Sequence, residues 1–244
     1  MPHLVIIIGI ILAASFVVVM AGLIIIFFFT CLLEKRHIKQ FVPCDPSLLT
    51  TSSFYCSAVT QQAAALGFTD LGTFAQDRGS RVYSAVIGYW VAPEGTILAV
   101  IAGGKTAKVP IKITNLISWS SDGRQLMTSD KFVAPYLSGL TDKEVVLNAH
   151  LPELYGRHRQ RLVSTGFEAQ IIPRENICAV RENMEMATYS RLQQMGLARP
   201  VNPEGTIWNL TVKGAWQMCN ALIKQMGERD KQRERTRLKR PGDA

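Results

Sequence analysis

"RVYSAVIGYWVAPEGTILAVIAGGKTAKVPIKITNLISW", residues 81–119, decides the fold. Val82, Val86 and Trp90 fall on one parity of the first run and Tyr83, Ile87 and Val91 on the other. A strand over Arg81–Val91 is therefore apolar on both faces and belongs inside a sheet covered on each side. Thr96–Ala102 and Val109–Trp119 read as further strands, with turn chemistry at Pro93-Glu94-Gly95 and at Gly103-Gly104-Lys105. Outward from these, Gly72–Gln76 precedes and Gln125–Thr128 follows, across Asp77-Arg78-Gly79 and Asp122-Gly123. Links this short favour sequential antiparallel pairing, giving a sheet of about five strands. Gly103-Gly104-Lys105 lacks the G-x-x-x-x-G-K-[ST] spacing of a phosphate loop, and Asp122 lacks companion carboxylates at calcium-loop spacing.

Helices are expected on both sides of the sheet in sequence. Ser52 or Ser53 is placed to cap a helix through Ala58, Ala63 and Leu66, stopped by Gly67-Phe68 in a Schellman arrangement. After the strands, Thr141-Asp142-Lys143-Glu144 matches a capping box and predicts a helix start. A second start at Pro152 runs through Leu154, His158 and Leu162 to Gly166. Ile177, Val180, Met184, Thr188, Leu192 and Met195 then keep helical spacing across Arg174–Met195.

The chain opens differently. Leu4–Leu33 is an uncharged apolar run of 30 residues, ~45 Å as a helix, against a hydrocarbon core of ~30 Å. Met1-Pro2-His3 carries no Lys or Arg, and the run is longer than the core of a cleaved signal, so an uncleaved anchor is expected. Cys31 follows Phe28-Phe29-Thr30, where a lipoprotein signal would carry small residues. Lys35, Arg36 and Lys39 flank the run on its C-terminal side only, which assigns residues 34–244 to the cytoplasm. The expected organisation is an external N-terminus (1–3), a transmembrane helix (4–33) and a basic juxtamembrane linker (34–49). A helix plus antiparallel sheet (50–135), a helical subdomain (136–228) with a hairpin at 198–210, and a basic tail (229–244) follow.

All 27 Lys and Arg and all 19 Asp and Glu lie from Glu34 onward, so the net charge of +8 biases that part towards acidic partners. Between Glu228 and Arg240 seven basic residues face three acidic ones, which makes the tail a candidate for anionic lipid headgroups. The five cysteines form no C-x-x-C pair, so buried or idle thiols in a reduced cytosol are expected, with Cys44 and Cys56 the pair that could bridge in an oxidising compartment. His150, Glu153 and His158 lack the i, i+4 spacing of a helical metal site, so no metal or other cofactor is expected. No nucleophile elbow or dinucleotide fingerprint occurs, and no catalytic residue is assigned.

The most specific local pattern is "TYSRLQQMGLARPVNPEGTIWNLTVKGAWQM", residues 188–218. It reads as helix, Gly stop, extended Ala198–Val201, a turn at Asn202-Pro203-Glu204-Gly205, extended Thr206–Leu210, and a helix capped by Thr211. This resembles the recognition helix, wing and following helix of winged helix-turn-helix regulators, including the Leu210-Thr211-Val212-Lys213-Gly214 run that closes the wing. The resemblance implies Thr188, Ser190, Arg191 and Gln194 facing a DNA groove and Lys213 near a phosphate. Upstream, Arg174–Met195 has no Gly or Pro to divide it into two short helices, and the preferred alternative is a helix–hairpin–helix subdomain.

The expectation is a single-pass membrane protein with a cytoplasmic α+β domain that binds or scaffolds without catalysis. The rivals are a membrane-tethered DNA-binding regulator and an enzyme without a recognisable motif.

Overall fold

The computed structural model describes residues 2–37, 40–52, 54–77, 83–106, 109–131 and 140–238. The chain forms two compact units, Ile38–Leu192 and Met1–His37 with Gln193–Ala244.

The larger unit is built on a seven-stranded sheet of β2 (Gln40–Pro43), β3 (Thr69–Asp77), β4 (Tyr83–Val91), β5 (Leu98–Thr106), β6 (Val109–Trp119), β7 (Gln125–Ser129) and β8 (Thr141–Val145), side by side in that order. The first six pair antiparallel and β8 lies parallel to β7. One face carries α2 (Ser47–Ser52), α3 (Phe54–Ala65) and α4 (Leu151–Thr165), whose Leu49, Val59 and Leu154 pack with Ala99, Ile101 and Leu116. On the other face, Ile172 and Ile177 at the start of α5 (Ile177–Gln194) close over Tyr89, Val100 and Trp119. Strand β4 is interior and covered on both faces, as its two-sided apolar pattern predicts. Ile87, Tyr89 and Val91 face one cluster, and Val86 and Trp90 the other.

Seven strands replace the expected five, for two reasons. Pro43 falls in the expected linker 34–49, yet Gln40–Pro43 pairs with Phe74–Asp77 at the sheet edge, where a proline without an N–H is tolerated. Thr141-Asp142-Lys143-Glu144 is strand, not a helix start. The alternation of a strand puts Asp142 and Glu144 on one side, and both meet Arg161 of α4, at 3.0 and 3.4 Å. Those ion pairs and the pairing with β7 outweigh the capping pattern.

Other expectations shift locally. Gly103-Gly104-Lys105 is not a turn, since β5 continues through it in register with Ser84–Val86. The first helix starts earlier than Ser52: the Asp45 carboxylate accepts the Ser47 N–H at 2.8 Å, Pro46 begins the first turn, and Ser52 ends α2. Ser53 and Arg78-Gly79 lie outside the described residues, as do Arg81 and Val82. The Gly67 stop is as expected. Gly67 has φ +77° and the Gly67 and Phe68 amides donate to the Ala64 and Ala63 carbonyls. None of the five cysteines is joined in a disulfide.

The smaller unit joins the two chain ends. The long apolar helix α1 (Pro2–Leu33) leads after two residues into β1 (Arg36–His37). This strand extends the expected hairpin of β9 (Ala198–Pro200) and β10 (Ile207–Leu210) into a three-stranded sheet, ordered β1-β10-β9. The last helix, α6 (Val212–Leu238), packs along α1. It buries Ala215, Met218 and Cys219, whereas Trp216, Ile223 and Met226 are about half exposed.

Candidate functional site

Helix α1 satisfies its own backbone and has no charged side chain, and the Thr30 hydroxyl donates back to the Ile26 carbonyl at 2.8 Å. Its Ala14–Leu33 segment is long and apolar enough to cross a membrane. Phe16, Val18, Ile26 and Leu33 are each more than 60% exposed, so the protein itself leaves much of that surface uncovered. At the helix exit Lys35 is exposed, and Arg36 pairs with Glu34 at 3.1 Å. The Arg36 guanidinium also lies over the Trp208 ring, 5.4 Å from its centroid, on the strand that pairs with β1. Lys39 lies outside the described residues.

Residues 177–194 form one continuous helix, and its candidate groove residues separate into two groups. Thr188 accepts a hydrogen bond from the Gln125 side chain at 3.0 Å, and Arg191 donates to the Asp122 carbonyl at 2.9 Å with its carboxylate 3.5 Å away. Hydrogen bonds from Ser120 and Arg124 hold that carboxyl down, to about 2, so Asp122 is an anion facing Arg191. Ser190 and Gln194 are exposed. The Leu210-Thr211-Val212-Lys213-Gly214 run works as a clamp. Leu210 is fully buried, the Thr211 hydroxyl donates to the Gly196 carbonyl at 2.7 Å, and the Lys213 ammonium donates to the Met195 carbonyl at 3.0 Å, just past the end of α5. A Cβ on Gly214 would stand 2.1 Å from the Leu197 carbonyl oxygen. Leu210, Thr211, Lys213 and Gly214 of the wing-like run thus each have a packing or hydrogen-bonding use in this chain.

A buried polar centre on α4 lies outside the sites expected from the sequence. His158, fully buried on α4, has Nε2 3.0 Å from the Ser118 hydroxyl and Nδ1 2.9 Å from the Thr128 hydroxyl. Ser118 spends its proton on the Thr96 carbonyl, 2.8 Å away, so it must accept the proton of Nε2. Nδ1 then accepts from Thr128, whose oxygen in turn accepts from Arg161 at 2.9 Å. Every proton in the line from Arg161 to Thr96 is assigned. Burial and the Arg161 charge push the imidazole down to about 3, so it is neutral near pH 7. A serine 3.0 Å from a histidine suggests a nucleophile and its base, but Ser118 is fully buried and its proton points away from the ring. The pair ties β6, β7 and α4 together. Its one signal in the sequence is the position of His158 four residues from both Leu154 and Leu162, on the apolar stripe. His150, by contrast, is exposed at the start of α4.

A second buried group lies on the same sheet. Asp130, 1% exposed, accepts from the Thr114 amide at 2.8 Å and from the Tyr55 hydroxyl at 2.5 Å, which anchors α3 to the end of β7. Burial raises its pKa against the opposing pull of these donors and of Lys131. Among the described residues, no three His, Cys, Asp or Glu side chains come together as a metal set. No family model matches this chain, and comparison with curated proteins and with solved structures finds no match either.

Proposed function

We propose that this chain is a single-pass membrane protein whose α+β domain serves as a binding or scaffolding module on the cytoplasmic side. The observation that carries the reading is the exposed apolar surface of α1 over Ala14–Leu33. A continuous apolar surface of that length is rare on a protein surrounded by water and suits lipid. Lys35, Arg36 and Lys39 on the C-terminal flank support the cytoplasmic side for the rest. The seven-stranded sheet supports a rigid platform, and the basic tail supports contact with anionic headgroups.

The test is extraction and topology of the full chain in cells. Retention in the membrane pellet at alkaline pH, and thiols introduced on α4 shielded from impermeant reagents until the membrane is opened, are expected. Release into the supernatant, or labelling of α4 in intact cells, overturns the anchor or its orientation respectively.

A further inference from the structure

We infer, resting on the embedded α1 proposed above, that the bilayer occupies α1 from Leu4 to about Leu23, and that α6 packs along one side of the emerging residues 24–33. Beyond Gly227, α6 then bends onto anionic headgroups.

The direction of α6 is the first observation. It starts at Val212, directly after β10, and β10 pairs with the strand that follows α1. Further along, Cys219, Leu222 and Met226 share an apolar cleft of about 150 Å³ with Met20, Ile24 and Phe27. So α6 runs antiparallel to α1, back towards its N-terminus. Met20, Ile24, Phe27 and Cys31 are spaced by four and three, as are Ala215, Cys219, Leu222 and Met226, which is the spacing of a two-helix seam.

The seam limits how deep α1 can sit. Were the bilayer to cover Ala14–Leu33, the α6 residues Lys224, Glu228, Arg229, Asp230 and Lys231 would fall about 18 to 28 Å beyond the start of α6, inside a core ~30 Å thick. Each charge at such depth costs at least as much as exposing a whole Leu or Phe. Covering Leu4–Leu23 instead leaves Ile25, Ile26, Phe29 and Leu33 partly outside lipid, four side chains that are 51–71% exposed. Part of that loss is recovered in the interface, so the shallower placement wins. It also matches the ~20 residues that a hydrocarbon core requires.

At that placement Met226, opposite Met20 and Ile24, lies at the level of the headgroups. Gly227 is the next residue, mid-helix, with open space where a Cβ would be. Continued straight, α6 would carry Arg229–Leu238, five basic and two acidic residues, into hydrocarbon. Glycine is the weakest point of the helix for a bend, and the basic excess matches an anionic surface.

The test uses the full chain reconstituted in vesicles of phosphatidylcholine, alone or mixed with phosphatidylserine. Single variants Phe16→Cys, Val18→Cys, Phe29→Cys and Leu33→Cys are reacted with a maleimide and the modified peptide is identified by mass, which separates them from native thiols. A thiol in hydrocarbon does not ionise, so Phe29→Cys and Leu33→Cys should react at least roughly tenfold faster than Phe16→Cys and Val18→Cys. Phe29→Cys reacting as slowly as Val18→Cys overturns the shallow placement while leaving α1 embedded. Fast reaction at all four positions removes the embedded helix, and this inference with it. For the distal half, trypsin cleavage between Arg229 and Arg237 should slow several-fold on phosphatidylserine vesicles and recover in high salt. Equal cleavage on both vesicles overturns the headgroup contact.

Discussion

His158 donates its Nε2–H to the Ser118 hydroxyl across 3.0 Å, and this buried bond fixes the tautomer of a ring that burial and Arg161 keep neutral. Because the folded pKa lies near 3, below an unfolded value of ~6.5, the neutral imidazole contributes stability that is present above ~6.5 and lost as pH falls towards about 3. The whole effect is on the order of 4–5 kcal/mol. Urea unfolding of the detergent-solubilised chain between pH 7 and 4 should show this loss, and His158→Gln should be less stable at pH 7 with a flatter slope below 6.5. An unchanged slope in the variant would place the titration elsewhere.

Arg161 and Asp142 form a 3.0 Å ion pair, but their surroundings differ sharply. The arginine side chain is 10% exposed and the aspartate 62%. Arg161→Ala leaves Thr128 and the Met127 carbonyl without their buried donor, while Glu144 keeps Arg157, and should cost about 3–5 kcal/mol. Asp142→Ala should cost under about 1 kcal/mol. Equal losses in denaturant melts would mean that the exposed pair, rather than the buried donors, holds α4 to β7.

Tyr89 and Trp90 point to opposite faces of β4 and differ in burial, Tyr89 being 1% exposed and Trp90 only partly buried. Tyr89→Ala should destabilise by about 3–5 kcal/mol, and Trp90→Ala by less. The reverse order in unfolding midpoints would mean that the face under α2 and α3 is the denser one.

Gly214 sits where the start of α6 presses against Leu197. Gly214→Ala puts a methyl 2.1 Å from a carbonyl oxygen, a contact that backbone must move to relieve, and should cost about 2–3 kcal/mol or more. Lys213→Ala removes one exposed hydrogen bond and should cost under about 1 kcal/mol. Limited proteolysis of the hairpin, Ala198–Leu210, reads the difference, and comparable resistance in both variants would show that the close approach is not needed.

What was legible in the sequence was local. The apolar length of Leu4–Leu33, the two-sided pattern of β4, the Gly67 and Gly166 helix stops and the hairpin at Ala198–Leu210 all depend on neighbours within a few residues, where propensity, periodicity and turn chemistry act. The edge strands β2 and β8 were not legible, because an edge is made by the strand it pairs with. Thr141-Asp142-Lys143-Glu144 satisfies a capping pattern until Arg161 and β7 are beside it. The polar centre depends on Ser118, Thr128 and His158, whose contacts span 30 and 40 residues of chain. Arg36 meets Trp208, and α1 meets α6, only because the two chain ends fold into one unit. Such contacts leave no periodic trace: a side chain that gains its partner from distant sequence is chosen by the three-dimensional packing, and only the tertiary structure decides it.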